Sequence, residues 1–259
     1  MVAGVTMEKH HMANWSDPRG PTTVFTGSTV PVDSATDAGL RSYMLKVYNY
    51  MASAVLLTGI VAMLFSQGGA SSPAATLIMA GGPLAWVIML SPLAFILVLS
   101  FGINRLSTGA AQAIFWAFAI VMGLSMSTIF LRYTGASIAE AFFATTAAFA
   151  GLSLFGYTTK RNLSGMGTFL IMGVIGILIA MLLNAFVFQS GAMALVISIL
   201  GVLIFAGLTA YDTQMIKNTY YQVAGTEFMG KAVIMGALSL YLDFVNMFQF
   251  LLSIIGNRE

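Results

Sequence analysis

Two aspartates lie within apolar stretches in the C-terminal part of this sequence. Asp212 lies in residues 207–217 (GLTAYDTQMIK), and Asp243 lies in residues 237–248 (ALSLYLDFVNMF). An ionisable side chain is costly inside a hydrocarbon layer, so each aspartate is a candidate functional residue that needs a partner. If the two stretches form consecutive helices that pack as a hairpin, each aspartate is the nearest titratable neighbour of the other.

Polar residues accompany both aspartates at helical spacing. Ser239, Asp243 and Asn246 share one face of a helix, and Thr209 lies beside Asp212. A polar stripe on an otherwise apolar helix usually faces protein or water rather than lipid. The spacing therefore predicts a polar site between the two helices.

Two neighbouring carboxylates could sense pH or bind a cation. They do not both ionise at low cost, so we expect the pair to titrate as one unit. When both are ionised, the pair is a site for a hard cation such as Ca²⁺. The alternative is that each aspartate only hydrogen-bonds to backbone or forms a salt bridge with a nearby base. Arg105 is the basic residue we expect to pair with them, because a guanidinium can bind a carboxylate through two hydrogen bonds.

Composition places the chain among integral membrane proteins. Hydrophobic residues make up 58% of the sequence, charged residues only 8%, and the mean hydropathy is +0.89. A net charge of +2 without clusters of Lys or Arg argues against nucleic-acid binding. The absence of cysteine excludes disulfides and thiolate metal sites. We therefore expect an all-α membrane protein, with the lipid bilayer as its partner and no cofactor.

Seven apolar stretches have about the 20 residues that cross a bilayer. The second contains Pro83 and Pro92 and is predicted to be kinked. Residues 1–38 are polar and are predicted to be a disordered tail, followed by a seven-helix transmembrane domain over 39–259. The predicted spans are 43–66, 75–101, 110–131, 138–157, 167–189, 192–213 and 232–255.

The distribution of charge between the spans predicts the orientation. Alternate connections carry little or no positive charge, with Arg132 opposed by Glu140 in one of them. The positive-inside rule then places the N-terminus in the cytoplasm and the C-terminus outside. The basic residues that decide this are Arg41, Lys46, Arg105, Lys160, Arg161, Lys217 and Lys231.

Glu140 is a third candidate acid, at the predicted start of the fourth span. An acid in the first turn of a helix complements the helix dipole, and this is the role we expect. The alternative is a cation-attracting vestibule on the outer side.

Several enzyme classes do not fit the sequence. The only histidines, His10 and His11, lie in the tail, which excludes a Ser-His hydrolase or a His-ligated zinc enzyme within the membrane. A di-aspartyl intramembrane protease shares the Tyr211-Asp212 pair. Its second signature, Gly-x-Gly-Asp, is missing, because Tyr241-Leu-Asp243 stands in that place. We therefore predict that the chain is not an enzyme.

Four stretches resemble the Bax inhibitor-1 family, the transmembrane Bax inhibitor motif proteins, and in particular its bacterial YccA-like branch. The stretches are 41–48 (RSYMLKVY), 152–164 (LSLFGYTTKRNLS), 207–217 and 237–248. The resemblance covers about residues 40–256.

The resemblance implies a fold, a function and a location. The fold has seven helices with the last one central, and the function is a pH-sensitive calcium leak in the bacterial inner membrane. By this resemblance Asp212 and Asp243 form the sensor and bind calcium, and Arg105 is the arginine that latches them. The alternative function is regulation of a membrane-bound ATP-dependent protease without conduction.

Overall fold

The structure is a computed structural model that describes residues 32–79 and 81–257, with side chains from Asp37 onward. Within these residues it is entirely helical, and seven helices are long and apolar enough to cross a membrane. This confirms the predicted fold class. The helices are α1 (Val32–Ser66), α2 (Pro83–Gly102), α3 (Thr108–Met126), α4 (Gly135–Thr158), α5 (Ser164–Leu183), α6 (Gly191–Val223) and α7 (Met229–Ile255).

The second predicted span is broken rather than kinked. A short π-helical turn, Ala75–Met79, precedes a separate α2 that begins at Pro83. Gly81 and Gly82 have φ angles of +76° and +109°, a region in which residues with a side chain are strained. Proline suits the first position of a helix because it lacks the N–H that would be unpaired there. Pro92 lies buried inside α2.

Two helices extend beyond the predicted spans. α6 continues to Val223, ten residues past the predicted end at 213, because its polar last turns pack against α1 and hold buried Tyr220. α1 begins at Val32, so the last residues of the predicted tail are helical. The rest of that tail, with His10 and His11, lies outside the described residues.

α7 is the central helix, as expected. Half of its most apolar segment is buried, against 28% or less in each of the other six. It packs on α1, α3, α4 and α6, whereas α2 packs on α3 and α5 packs on α6. Leu240, Tyr241 and Met247 have no exposed surface, so α7 forms the core of the bundle.

Glycines allow two close helix crossings around this core. A Cβ atom on Gly156 of α4 would collide with the backbone of Ala210 on α6, and one on Gly123 of α3 would meet the Thr58 carbonyl of α1. Close backbone approach through small residues is a common way for helices to associate in membranes.

The basic connections lie at one end of the bundle, which we call the basic end. Here Gly39 contacts Tyr220, Gly230 contacts Thr108, and Gln214 binds the α4–α5 connection. The last residues lie at the opposite end, where the carbonyl of Asn257 accepts a hydrogen bond from the Thr134 N–H. The prediction that the basic connections lie at one end of the bundle and the C-terminal residues at the other is therefore confirmed. Which end faces the cytoplasm stays a prediction.

Candidate functional site

The two aspartates lie on the pair of helices that packs most extensively. Asp212 is on α6 and Asp243 on α7, and the charge of Asp212 acts on Asp243. Asp243 is only 3% exposed, and its Oδ2 has no hydrogen-bond partner among the described residues. The predicted packing of the two helices is confirmed.

A cavity leads from the basic end to Asp212. Its volume is about 200 Å³, and we call it the basic-end cavity. α7 contributes Ala232, Met235, Gly236 and Ser239 to its wall. Asp212 is the acidic residue of the wall, so a cation that enters from the basic end meets a carboxylate.

A second cavity lies between α5, α6 and α7 toward the opposite end. Its volume is about 360 Å³, and we call it the opposite-end cavity. α7 lines it with Asn246, Gln249, Phe250 and Ser253. The wall therefore carries several uncharged oxygen-bearing side chains among apolar ones.

Asp243 separates the two cavities along α7. The residues that line them follow one another at three- and four-residue spacing, and Asp243 fills the gap between Ser239 and Asn246 without lining either cavity. Thr209 occupies the corresponding interval on α6 and has no exposed surface. One continuous face of α7 thus runs from one cavity to the other. The part of this face between Ser239 and Asn246 lines neither cavity and contains the Asp243 carboxylate, and we call it the closed segment.

The supporting polar residues have different surroundings. The Thr209 hydroxyl donates to the Phe205 carbonyl, and Nδ2 of Asn246 donates to the Leu242 carbonyl, each at 2.8 Å. These bonds stay within one helix, so they orient the side chains without joining α6 to α7. Ser239 lines the basic-end cavity together with Asp212.

Arg105 is not paired with the aspartates in this arrangement. It is exposed in the connection between α2 and α3, where its backbone N–H donates to the Gly102 carbonyl. The residues described here include no ion pair between Arg105 and either aspartate. The arginine latch therefore stays a prediction, and this arrangement is an unlatched one.

Glu140 does not cap α4, contrary to the expected role. α4 begins at Gly135, and its first turn contains no acidic residue. The cap is Thr134, whose Oγ1 accepts a hydrogen bond from the Ser137 N–H at 3.2 Å. The sequence interpretation started the helix three residues too late. Glu140 is exposed near that end, and its vestibule role stays a prediction.

Tyr43 is a member of the site that sequence reasoning missed. It belongs to α1 and lines the basic-end cavity with Asp212. Its side chain is fully buried, and its hydroxyl has no hydrogen-bond partner among the described residues. The signal was present, because Tyr43 lies in the stretch 41–48 that carries part of the family resemblance.

Hydrogen bonds join three of the stretches that carry the resemblance. The Tyr48 hydroxyl lies 2.5 Å from Oγ of Ser153, and that atom lies 2.9 Å from Oγ1 of Thr213. The chain of hydroxyls connects α1, α4 and α6, and it ends one residue after Asp212. These stretches therefore meet in space and hold the backbone around Asp212.

The end of α6 is anchored to the connection after α4. Gln214 accepts a hydrogen bond from the Leu163 N–H and donates one to the Arg161 carbonyl. Nζ of Lys217 donates to the Tyr157 carbonyl at 2.8 Å. These bonds satisfy backbone groups of the connection and of the last turn of α4, and they fix the position of the helix that carries Asp212.

A further polar contact holds α7 against α1 and α3. The Thr58 hydroxyl donates to the Ala119 carbonyl at 2.9 Å, so it accepts the hydrogen bond from Tyr241, whose oxygen lies 2.7 Å away. The contact links α1, α3 and α7. Because Tyr241 is two residues from Asp243, it fixes the rotation of the helix that carries the second aspartate.

The site offers few ligands for a metal ion. No group of three or more His, Cys, Asp or Glu residues that could hold a metal ion is found within the described part of the chain. Ca²⁺ prefers six to eight oxygen ligands, which two carboxylates supply only in part.

Sequence comparisons are consistent with this arrangement. The family model described as "Inhibitor of apoptosis-promoting Bax1" matches residues 40–259. An uncharacterised protein of Caulobacter vibrioides is 44% identical over 241 residues, which cover 89% of this chain and 96% of that protein. A Rickettsia prowazekii protein is 43% identical over 233 residues, which cover 90% of this chain and 96% of that protein. The inner membrane protein YbhL of Escherichia coli K12 is 43% identical over 224 residues, which cover 86% of this chain and 94% of that protein.

Proposed function

The chain belongs to the Bax inhibitor-1 family of membrane proteins, and we propose that it is a pH-sensitive calcium leak in the bacterial inner membrane. The observation that supports this most is the single face of α7 that lines two cavities, with Asp243 between them. YbhL, a relative of similar length, is named an inner membrane protein.

A cation would cross along this face of α7. From the basic end it meets Asp212 in the first cavity, then Asp243 in the closed segment, then the polar side chains around Asn246. A buried carboxylate oxygen without a partner is costly, and a passing cation supplies one for Oδ2 of Asp243. We therefore assign Asp243 as the deeper cation ligand and Asp212 as the residue that receives the ion.

Protonation would control the path through Arg105. When the aspartates are ionised they attract Arg105, and a tie between α2, α6 and α7 at the basic end closes the first cavity. Acidification neutralises one of the two aspartates first, which weakens this tie and shifts the population toward the open arrangement, while the carboxylate that stays ionised still attracts the cation. In this structure Arg105 forms no ion pair with either aspartate, which corresponds to the state without the tie.

The burial of Asp243 argues against proteolysis. A di-aspartyl protease must bring both carboxylates to one substrate bond, yet Asp243 is 3% exposed and lines neither cavity. The deep position suits an ion, which is small and sheds its water stepwise, better than a peptide.

Flux into liposomes tests the leak directly. Purified protein is reconstituted, and entry of Ca²⁺, Na⁺ and H⁺ is compared across pH. We expect Ca²⁺ entry that increases on acidification. If no ion enters at any pH and the protein co-purifies with a membrane-bound ATP-dependent protease, the regulatory alternative replaces the leak.

The path itself can be mapped by cysteine accessibility, because the natural chain has no cysteine. Met235→Cys and Ser239→Cys should react with a membrane-impermeant thiol reagent only from the basic end. Gln249→Cys and Ser253→Cys should react only from the opposite end. Leu240→Cys, on a fully buried face, is the matched control and should not react. Equal reactivity of all five positions would exclude the two-cavity path.

A further inference from the structure

A groove runs along the outside of the bundle between α1 and α4. Both helices pack on α7 and meet each other at the Tyr48–Ser153 hydrogen bond, and Phe244 of α7 lies at the floor of the depression between them. Three adjoining cavities of about 480, 500 and 270 Å³ share lining residues and form one depression, which we call the α1–α4 groove. Because α1 and α4 are antiparallel, the groove extends from the basic end to the opposite end.

The lining of the groove changes along its length. Its middle and its far part are apolar, with Phe142 and Phe244 in the wall of both cavities there. At the basic end the wall contains Arg41, Tyr48 and Tyr157. Arg41 is exposed and has no ion pair among the described residues. The groove is therefore long and mostly apolar, with one positively charged side chain, Arg41, in its wall at the basic end.

A second cation lies close to the same end. Nζ of Lys217 donates to the Tyr157 carbonyl and lies 5.1 Å from the centre of the Tyr157 ring. Tyr157 is part of the groove wall, so Lys217 adds positive potential beside Arg41. The described groove wall contains no acidic residue to cancel it.

We propose that the α1–α4 groove is a binding site for an anionic phospholipid, with the phosphate on Arg41 and one acyl chain along the phenylalanines of α4 and α7. The charge at one end and the apolar remainder match the two parts of such a lipid. The position suits it as well, because Arg41 lies at the end of a membrane-spanning helix, where headgroups lie. The acyl chain lies against Phe244 and Phe248 of α7 at the floor of the groove. This proposal does not depend on ion conduction.

Lipid binding to the purified full-length protein tests the site. The detergent-solubilised protein is titrated with phosphatidylglycerol and with phosphatidylcholine of the same acyl chains, and bound lipid is counted by native mass spectrometry. We expect one site that prefers phosphatidylglycerol. Arg41→Gln should weaken phosphatidylglycerol binding about fivefold and remove the preference, since one cation near the headgroup is worth about 1 kcal/mol. Lys46→Gln, an exposed cation of α1 that does not line the groove, is the matched control.

A second variant tests the acyl-chain part. Gly59 lines the apolar groove, and a Cβ there meets nothing within 4 Å, so the side chain of Gly59→Leu starts in open space and extends into the groove. It should abolish binding of both lipids. Gly151→Leu, on α4 but not in the groove wall and with equally open space, should bind as the wild type does. Wild-type binding by both Arg41→Gln and Gly59→Leu, or equal binding of the two lipids by the wild type, would overturn the proposal.

Discussion

Asp212 lines the basic-end cavity, whereas Asp243, on which its charge acts, is buried beyond the floor of that cavity. The two carboxylates therefore differ in access although they lie on the two helices that pack most extensively. A residue that meets solvent first suits a sensor, and one in the closed segment suits an ion ligand. This difference in access predicts that Asp212→Asn and Asp243→Asn have distinct effects.

Asp212→Asn should increase Ca²⁺ entry at neutral pH and flatten its pH dependence. The substitution removes the charge that holds Arg105, and about 1.4 kcal/mol of lost attraction changes the ratio of open to closed protein tenfold. Asp243→Asn should instead weaken cation binding and lower the flux, because it removes the deeper ligand. Liposome flux measured across pH reports both, because two interacting carboxylates lose their protons in two separate steps.

Glu227→Gln is the control for these substitutions. Glu227 is an exposed acid in the α6–α7 connection at the same end of the bundle, and it lines neither cavity. Its loss should leave the flux unchanged. If both aspartate variants kept the wild-type pH profile, the pair would not be the sensor, and each aspartate would have only a structural role.

Arg105→Ala should reproduce the Asp212→Asn phenotype if the latch exists. The double variant should then leak no more than either single variant, because both remove the same contact. Arg161→Ala removes an exposed cation at the same end and should change nothing. Independent, additive effects of Arg105→Ala and Asp212→Asn in the flux assay would show that the arginine acts elsewhere.

Gly156→Ala should destabilise the bundle. A methyl group at Gly156 collides with the backbone of Ala210, so α4 and α6 must separate, and overpacking of this kind costs about 1–3 kcal/mol. The measurement is thermal unfolding of the detergent-solubilised protein. Gly151→Ala, five residues earlier on α4 with open space around it, should unfold at the wild-type temperature. Equal stability of the two variants would contradict the close crossing.

Reporter fusions after Asn162 and at Glu259 should lie on opposite sides of the membrane. Asn162 is in the basic connection between α4 and α5, and the chain after α7 leaves at the other end of the bundle. The positive-inside rule places the Asn162 reporter in the cytoplasm. Both reporters on one side would refute seven crossings, and reversed sides would refute only the orientation.

The membrane class, the seven helices and the neighbouring positions of Asp212 and Asp243 were predictable from the sequence. Long apolar runs indicate spans whatever their contacts, and two aspartates on consecutive helices become neighbours when those helices pack as a hairpin. The resemblance added the central position of α7, which the structure confirms. The beginning of α4 and the length of α6 were less accurate, because caps and anchoring contacts decide where helices end.

Only the tertiary structure decided which faces meet. In this chain the helices are apolar on nearly all sides, and lipid is as apolar as a protein core, so the hydrophobic pattern does not mark the buried face. Tyr43 thus became part of the site through α1 packing on α6, and Ser153 became a link between Tyr48, 105 residues away, and Thr213. The sequence by itself determined that two carboxylates, those of Asp212 and Asp243, lie in or near membrane-spanning helices. The packing of distant helices determined that Asp212 faces a cavity and that Asp243 is buried between two cavities.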